Sequence, residues 1–390
     1  MISKKTHRPK EKIAIFMPSL FGAGGQRSML NLAHGIADRG YAIDLVLARA
    51  VGEFLPEVRS PVRIIDLGAS RALTSLPGMV RYLRRERPDA MLSVFGYVNA
   101  VALWAWKLSG SKTRMYVNEQ NTVSVEAANA SSWGVRLTPW LIRRFYPWAN
   151  GIVVVSQGVR NDMAKLSKIP SQHITVIYNP SIVAAEVQEK SREPLDHPWF
   201  EPGGPPVLLA VGRLQPQKDY AMLLEAFAQV RKTRPVRLMI LGEGKERPRL
   251  EAIVEALDIA ADVSLPGFVM NPFAYMARSS LFVLSSRWEG LPTVLIEALC
   301  CGTPVVSTDC PSGPREILQN GRFGRIVPVG DVGAFAQAII KSLDEPASKP
   351  APESWQPYEL NAVVDHYLDM LLGRLPSEEY QSLPGNGTYE

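Results

Sequence analysis

Residues 288–297 read W-E-G-L-P-T-V-L-I-E. This run predicts the end of a strand, a tight turn at Gly290, and a helix whose first residue is Pro292. Proline suits that position because the first helical N–H has no partner in any case. The amides of residues 293–295 then lack intrahelical acceptors, and the positive end of the helix dipole lies beside them. Together they predict an anion site suited to phosphate.

Two carboxylates flank this predicted anion site. Glu289 precedes the helix and Glu297 lies inside it, about 12 Å away at 1.5 Å of rise per residue. The paired acids of a glycoside hydrolase lie roughly 5–10 Å apart, so this spacing argues against that chemistry. It suits an elongated ligand with phosphate in the middle and a hydroxyl-rich sugar at either end, which describes a nucleotide sugar.

The longer string over residues 285–309 is S-S-R-W-E-G-L-P-T-V-L-I-E-A-L-C-C-G-T-P-V-V-S-T-D. Its E-x7-E spacing, from Glu289 to Glu297, resembles the retaining glycosyltransferases of family 4. The resemblance extends from residue 13 to about residue 373. It implies an α/β protein with two Rossmann-like domains facing a cleft, the GT-B fold. It also assigns Glu289 to the transferred sugar and Glu297 to the ribose hydroxyls.

A second segment, G-R-L-Q-P-Q-K-D at residues 212–219, follows a predicted strand. Gly212 permits close approach of a ligand, while Arg213 and Lys218 can converge on one diphosphate from a single loop. The segment resembles the diphosphate-binding segment of the family, and the alternative is a solvated pair of cations. By the same resemblance the backbone at Gly242 passes the nucleotide and Phe268 lies near the base, although Phe268 is equally compatible with the core.

The resemblance therefore implies two sets of donor-side residues. The catalytic set is Glu289, Arg213 and Lys218. The donor-binding set is Gly24, Gly25, Gly212, Gly242, Phe268, Gly290, Leu291, Thr293, Val294, Leu295 and Glu297. The loop at residues 309–314 resembles one found in relatives that use UDP-sugars.

A glycine loop, F-G-A-G-G at residues 21–25, lies between the first predicted strand and helix. A dinucleotide fingerprint would need a further glycine where Arg27 stands, so an NAD site is disfavoured. Family 4 enzymes often carry a Gly-Gly pair here followed by an acidic residue, and this chain has Gln26 in that place. The alternative is that Gly24 and Gly25 only make a tight turn.

The acceptor is expected at the ends of the fourth and fifth strands, which carry Tyr97, Asn99 and Glu119. Glu119 resembles the acidic residue that some transferases of lipid-linked sugars have at this point, and the alternative is a solvated loop carboxylate. Neither strand end carries any of the five histidines, so no histidine role is inferred.

Alternating strand and helix patterns predict parallel sheets with helices on both faces. Strands are predicted at 12–19, 41–48, 62–66, 90–94, 114–118, 151–156, 174–177, 207–212, 236–241, 263–265, 281–285, 303–307 and 325–327. We expect an acceptor-side domain over 1–190, a Pro- and Gly-rich linker over 191–206, a donor-binding domain over 207–355, a helix returning to the first domain over 356–375, and a disordered tail over 376–390.

Composition places the chain among globular proteins. Its 390 residues suffice for two domains, and 46% hydrophobic with 21% charged residues is typical of soluble proteins. Residues 1–12 lack the apolar core of a signal peptide. The three cysteines are odd in number and lack metal-ligand spacing. We therefore expect a cytoplasmic protein.

Charge is unevenly distributed. Residues 1–190 hold 25 Lys and Arg against 13 Asp and Glu, whereas residues 191–390 hold 18 against 25. Basic and apolar side chains alternate over 71–87 and 133–148, as in helices that lie on membranes. The alternative is that these helices pack their apolar faces on the sheet. We expect either peripheral contact with the inner face of an anionic membrane or a solvated basic surface, and no nucleic-acid partner.

No Asp-x-Asp occurs in the chain, so we expect no metal and no cofactor. The charge of the leaving diphosphate would fall on Arg213, Lys218 and the helix N-terminus. The hypothesis is a retaining, metal-independent transferase that moves a hexose or N-acetylhexosamine from a UDP-linked sugar. Its acceptor would be a saccharide that is polyprenyl-diphosphate-linked or soluble. The alternatives are a sugar-nucleotide epimerase of the same fold and a non-catalytic sugar-nucleotide-binding subunit.

Overall fold

The computed structural model describes residues 11–21, 24–130, 132–345 and 349–374. The chain divides into two compact units. The first comprises residues up to Pro180 together with those from Leu360 onward, and the second comprises Ser181–Glu359.

The first unit contains seven strands among the described residues. They are β1 (Lys12–Met17), β2 (Ala42–Leu47), β3 (Arg63–Asp66), β4 (Ala90–Val94), β5 (Arg114–Glu119), β6 (Gly151–Val154) and β7 (Ile174–Val176). Every pairing is parallel, in the order β3-β2-β1-β4-β5-β6-β7. The central strands are almost wholly buried, as expected of a sheet covered on both faces.

Helices alternate with these strands. They are α1 (Gly24–Asp38), α2 (Leu76–Glu86), α3 (Gly96–Ser109), α4 (Val123–Asn129), α5 (Trp133–Arg136), α6 (Thr138–Phe145) and α7 (Gln157–Ser167).

The second unit has a six-stranded parallel sheet within the described residues. Its strands are β8 (Val207–Val211), β9 (Arg237–Leu241), β10 (Val263–Gly267), β11 (Leu281–Leu284), β12 (Val305–Thr308) and β13 (Arg325–Val327). Their order is β10-β9-β8-β11-β12-β13. The helices are α8 (Ala184–Ser191), α9 (Tyr220–Thr233), α10 (Arg247–Ala256), α11 (Phe273–Met276), α12 (Thr293–Cys300), α13 (Pro314–Ile317) and α14 (Val332–Asp344).

The last described helix, α15 (Leu360–Leu372), belongs to the first unit. Two hydrogen bonds attach it to β5. The Tyr116 hydroxyl donates to the carbonyl of Met370 at 2.8 Å, and the Asn118 amide donates to the Tyr367 hydroxyl at 3.2 Å.

The predicted α/β class with two parallel sheets is confirmed, and each predicted strand is found within a few residues of its expected ends. The boundary between units lies earlier than the expected linker. Residues 181–206 belong to the second unit, where the Arg278 guanidinium donates to the carbonyls of Ser191 and Glu193 at 3.0 and 2.9 Å. The expected tail over 376–390 lies outside the described residues.

Among the described helices, none combines the length and the apolar character that crossing a bilayer would require.

A buried carboxylate joins three elements of the first sheet. Asp44 on β2 is 2% exposed and accepts two hydrogen bonds from Arg63, at 2.8 and 2.7 Å, and one from the Tyr82 hydroxyl at 2.7 Å. Lys12 lies 3.1 Å away. Burial alone would raise the pKa of Asp44, but these donors outweigh it and hold the pKa below its usual value.

We expect Asp44→Ala to lower the free energy of unfolding by about 1.5–3 kcal/mol, because it removes the hydrogen bonds from Arg63 and takes the acceptor from the buried Tyr82 hydroxyl. Urea denaturation at pH 7 measures this. The control is Asp38→Ala, whose pair with Arg59 is 3.4 Å long and more than half exposed, and which we expect to cost less than about 1 kcal/mol. Equal losses for the two variants would contradict the role given to Asp44.

Candidate active site

An ion pair between two loops forms the centre of the site in the second unit. The Lys218 ammonium lies 2.6 Å from Glu289 Oε1, and the two side chains are 16% and 9% exposed. The Ser286 hydroxyl donates to the same oxygen at 2.6 Å, and the Gln217 amide donates to the other at 3.3 Å. Glu289 is therefore held in one orientation by three protein donors.

The sheet order explains why these loops meet. Lys218 follows β8 and Glu289 follows β11, and the two strands are neighbours whose carboxyl ends lie at the same edge. The loops are also joined directly, because the Arg287 amide donates to the carbonyl of Gln217 at 2.8 Å and the Ser285 hydroxyl donates to the carbonyl of Lys218 at 2.7 Å.

Sequence reasoning missed Gln217, Ser285 and Ser286. All three stand inside the segments quoted for the resemblance, but uncharged side chains in a loop carry no pattern that predicts their partners.

Arg213 differs from Lys218 in having no partner. It is exposed, and no hydrogen bond or ion pair to its side chain is found among the described residues. The neighbouring Gly212 contacts Lys218 closely, since a Cβ added at Gly212 would lie 3.0 Å from Lys218 Cε. The loop thus provides one cation that is neutralised by Glu289 and one that is available to an external anion.

The start of α12 differs from its prediction in two details. The helix begins at Thr293, and Pro292 is the N-cap in an extended conformation. The carbonyl of Pro292 accepts a hydrogen bond from the Leu295 amide at 3.0 Å. The expectation that the Leu295 amide is available was therefore wrong, because the turn itself uses that donor. The amides of Thr293 and Val294 have no acceptor among the described residues.

The loop at residues 309–314 packs on this turn. Gly313 has φ = +93°, and a Cβ there would lie 2.4 Å from Pro292 Cδ and 3.1 Å from the carbonyl oxygen of Gly290. Only glycine accommodates both the backbone conformation and the contact. Gly290 and Leu291 are themselves buried, so their contribution to a ligand is limited to the backbone and the shape of the turn.

Glu297 lies in α12 and is 7% exposed, as is Glu289. Burial, and then the Glu297 carboxylate, raise the pKa of the nearby Cys300 thiol to about 12. Burial likewise raises the pKa of Cys301 and Cys310. None of these three cysteines is set up as a nucleophile at neutral pH.

Two further predicted donor residues lie at the ends of β9 and β10. Gly242 follows β9 and has φ = +146°. A Cβ there would lie 2.0 Å from the carbonyl oxygen of Gly212, which follows β8, so the backbones at the ends of β8 and β9 are in direct contact. Phe268 is 44% exposed, which makes the core alternative wrong and leaves the ring accessible to a ligand.

In the first unit, Gly24 and Gly25 are the first two residues of α1, while Gly22 and Ala23 lie outside the described residues. A Cβ on Gly25 would lie 3.1 Å from the Phe95 ring and 3.3 Å from Gln120 Oε1. Phe95 has φ = +79°, which is a strained conformation for an aromatic residue. The glycine pair thus packs beside the residues that precede α3 and follow β5.

Glu119 lies at the end of β5 and is 3% exposed, so the solvated-carboxylate alternative is wrong. Its Oε1 accepts hydrogen bonds from the Asn99 amide, at 3.1 Å, and from the Tyr146 hydroxyl, and its Oε2 accepts one from the Gly96 amide at 3.3 Å. Both Asn99 and Glu119 are therefore enclosed by protein.

Of the three predicted acceptor-side residues, Tyr97 alone is exposed, at 41%. Asn99 and Glu119 are buried, and Glu119 accepts hydrogen bonds from Asn99 and from the first amide of α3. Burial raises the pKa of Glu119 to about 7 even though the bonds from Tyr146, Asn99 and Gly96 favour its ionised form.

Within the described ranges, no group of three or more His, Cys, Asp or Glu side chains is placed to hold a metal ion. Independence from metal stays a prediction.

Two family models match the chain. "Glycosyltransferase Family 4" matches residues 22–181, and "Glycosyl transferases group 1" matches residues 191–359. The second match contains the Lys218–Glu289 pair and the first contains Glu119.

Curated relatives cover nearly the whole chain. One is the N-acetylgalactosamine-N,N'-diacetylbacillosaminyl-diphospho-undecaprenol 4-alpha-N-acetylgalactosaminyltransferase of Campylobacter jejuni, which is 32% identical over 86% of this chain and 91% of its own. A second, from the same organism, is the GalNAc-alpha-(1->4)-GalNAc-alpha-(1->3)-diNAcBac-PP-undecaprenol alpha-1,4-N-acetyl-D-galactosaminyltransferase. It is 23% identical over 92% of this chain and 98% of its own.

The fold is similar to that of HepE from Anabaena, solved in complex with UDP and glucose. The TM-score is 0.75 at 19% identity, covering 94% of this chain and 100% of HepE. This likeness confirms the GT-B fold that the sequence predicts.

The buried Glu119 generates a prediction about stability and pH. Between about pH 4.5 and about pH 7, this carboxyl group ionises in the unfolded chain but stays protonated in the folded protein. The free energy of unfolding of the wild type therefore falls as pH rises through this range. Glutamine does not ionise, so we expect the stability of Glu119→Gln minus that of the wild type to be about 2 kcal/mol larger at pH 7.5 than at pH 5.

Urea denaturation at the two pH values measures this difference. Glu186→Gln, which removes an exposed carboxylate, is the matched control. If the stability difference between wild type and Glu119→Gln is the same at both pH values, the raised pKa is refuted.

Proposed function

Because this chain belongs to glycosyltransferase family 4, we propose that it transfers a hexose or N-acetylhexosamine from a UDP-linked sugar to a lipid-linked saccharide, with retention of configuration. The product would be an intermediate of cell-surface glycan or polysaccharide biosynthesis. The donor binds in the second unit, and the acceptor binds in the first.

The observation that carries the proposal is the arrangement of charge around the Lys218–Glu289 pair. Glu289 neutralises Lys218 and is fixed by Ser286 and Gln217, so its carboxylate is held in one orientation in which it can accept hydrogen bonds from sugar hydroxyls. Arg213 and the amides of Thr293 and Val294 remain for the diphosphate.

The proposed chemistry follows from these charges. As the bond between the sugar and the diphosphate breaks, negative charge grows on the leaving oxygen. Arg213 and the amides at the N-terminus of α12 are donors that stabilise this charge more strongly in the transition state than in the ground state. Each charge-assisted hydrogen bond contributes about 1.5–3 kcal/mol. The acceptor hydroxyl then attacks on the face that the diphosphate leaves, and the diphosphate accepts its proton.

Names of relatives support the substrate classes. The two Campylobacter transferases are named for undecaprenol-diphosphate-linked acceptors and N-acetylgalactosamine transfer, and HepE was solved with UDP and glucose. By analogy we infer a UDP-sugar donor and a polyprenyl-diphosphate-linked acceptor. We further infer that the enzyme works on the cytoplasmic face of the membrane as a peripheral protein.

Arg213 provides a test of the donor site. We expect Arg213→Ala to weaken UDP binding by about 1.5–3 kcal/mol while leaving uridine binding unchanged, because only the diphosphate contacts the guanidinium. Isothermal titration calorimetry with UDP, GDP and uridine measures this. Arg249→Ala, which removes an arginine of the same unit whose side chain is 64% exposed, is the control.

Glu297→Gln completes this comparison. Its carboxylate is expected to bind ribose hydroxyls, so UDP and uridine should weaken alike. Unchanged UDP binding in both the Arg213 and the Glu297 variants would contradict the donor site.

Stereochemistry tests the transfer itself. With a UDP-α-sugar, we expect the new glycosidic bond to be α, read from the anomeric proton coupling of the product by NMR. The same reaction without acceptor should return the donor unchanged. A β-linked product would refute retention, and an altered nucleotide sugar formed without acceptor would indicate an epimerase.

A further inference from the structure

Five large apolar side chains are exposed together on one side of the first unit, and we name them the insertion surface. They are Trp104 (40% exposed), Leu108 (58%), Trp133 (76%), Leu137 (45%) and Trp140 (59%). The first two belong to α3, and the others lie on α5, on the residue after it, and on α6. A single exposed apolar residue is ordinary, but a group of this size marks a surface that binds something.

The members of the insertion surface are physically continuous. Helix α3 packs against α6, and α5 contacts both. The buried Phe145 ring lies beneath them, with its centroid 5.3 Å from that of Trp104 and 5.9 Å from that of Trp140 in edge-to-face geometry. These rings are therefore held in fixed positions on a packed aromatic base.

The chain segments that carry the insertion surface hold cations and no carboxylate, whereas Glu126 and Asp162 lie on the neighbouring helices α4 and α7. Residues 90–118 and 127–161 contain no Asp or Glu. The exposed cations nearest in sequence to its aromatic residues are Lys107, Arg136, Arg143 and Arg144. Segments in which tryptophan and leucine are accompanied by cations and by no carboxylate have the composition of those that lie in the head-group region of anionic bilayers. A protein partner with complementary charge would instead need a face that is both acidic and apolar.

The other basic stretch behaves differently. In α2 the side chains of Met79, Tyr82 and Leu83 are buried, and the helix packs on α3. Arg84 there donates to the carbonyls of Leu108 and Ser109 at 2.9 and 3.3 Å. For residues 71–87 the packing of α2 is therefore confirmed, and contact of its exposed arginines with a membrane stays a prediction.

Two of the three helices of the insertion surface, α3 and α6, are connected to the predicted acceptor-side residues. The first amide of α3, on Gly96, donates to Glu119, and the residue that follows α6, Tyr146, donates to the same carboxylate. Along α3, Trp104 and Leu108 lie about 12 and 18 Å beyond Gly96 at 1.5 Å per residue. The surface and the acceptor-side residues are thus two ends of one packed layer of helices.

We propose that the insertion surface enters the head-group region of an anionic bilayer, and that the acceptor is taken directly from that bilayer. The second half of this statement rests on the proposed function, whereas the first does not. Arg136, Arg143 and Arg144 contact lipid phosphates, while the tryptophans reach the acyl boundary. The saccharide of the acceptor extends toward the start of α3 while its lipid chain stays in the membrane.

Vesicle sedimentation tests the insertion. We expect the full chain to bind vesicles of phosphatidylcholine with 30% phosphatidylglycerol and to be released by 0.5 M salt. The double variant Trp133→Ser, Trp140→Ser should lose about tenfold or more in partitioning. Ile64→Ser, on the edge strand β3 and 37% exposed, is the control and should bind normally. Quenching of tryptophan fluorescence by brominated lipids should occur in the wild type and be reduced in the double variant.

Activity separates this inference from the proposed function. The double variant should keep the wild-type kcat with a water-soluble, short-chain acceptor analogue and show about a tenfold higher KM with the acceptor embedded in vesicles. Wild-type chain that transfers sugar to the analogue but never binds vesicles would overturn the insertion surface and leave the function intact.

Two other results are equally decisive. Vesicle binding that depends on the tryptophans, with no transfer to any lipid-linked acceptor, would keep the surface and overturn the acceptor. Concentration-dependent dimers that the double variant abolishes, without vesicle binding, would make the surface a contact between copies of the chain and overturn the membrane proposal.

Discussion

The ion pair between Lys218 and Glu289 is the interaction on which the donor half of the molecule depends. It joins the loops that follow two neighbouring parallel strands, and it does so in a place where neither charge is well hydrated. Removing either partner would leave a buried charge uncompensated, which costs several kcal/mol and would disturb the turn that starts α12. Because the pair is internally neutral, the charge that faces a ligand comes from Arg213 and from the backbone. In the proposed function, the group that orients a sugar is thus separate from the groups that hold a diphosphate.

The architecture could be read from the sequence because it depends on local signals. Short apolar runs that alternate with helical patterns predicted each strand of the described residues, and the apolar spacing over 360–372 predicted α15. The contacts that need the folded chain could not be read in this way. The bond from Leu295 to the carbonyl of Pro292 depends on how the turn closes. The burial of Glu119 depends on Tyr146, which lies 27 positions away along the chain. Resemblance named the residues of the proposed donor site, and tertiary structure alone gave their hydrogen bonds.

The two halves of the chain treat a carboxylate in opposite ways. Glu289 is next to an ammonium group that compensates its charge, whereas Glu119 is enclosed by neutral donors and has a raised pKa. The difference matters because a buried carboxylate without a cation stores electrostatic free energy that a conformational change or a bound cation can release. Glu119 also links the start of α3 to the residue after α6. A shift of either helix would therefore change the backbone conformation at Phe95, which precedes α3 and has a positive φ.

The contact between Gly242 and the carbonyl of Gly212 has a consequence for how donor preference can diverge. The proposed donor site places the nucleotide over strand ends that meet backbone to backbone, and side-chain replacement cannot change backbone atoms, which every amino acid shares. Selection for a different base or sugar must therefore act on the few side chains beside these glycine backbones, such as the exposed Phe268. Laboratory evolution of this enzyme would be most productive in libraries that vary this border and leave the glycines intact.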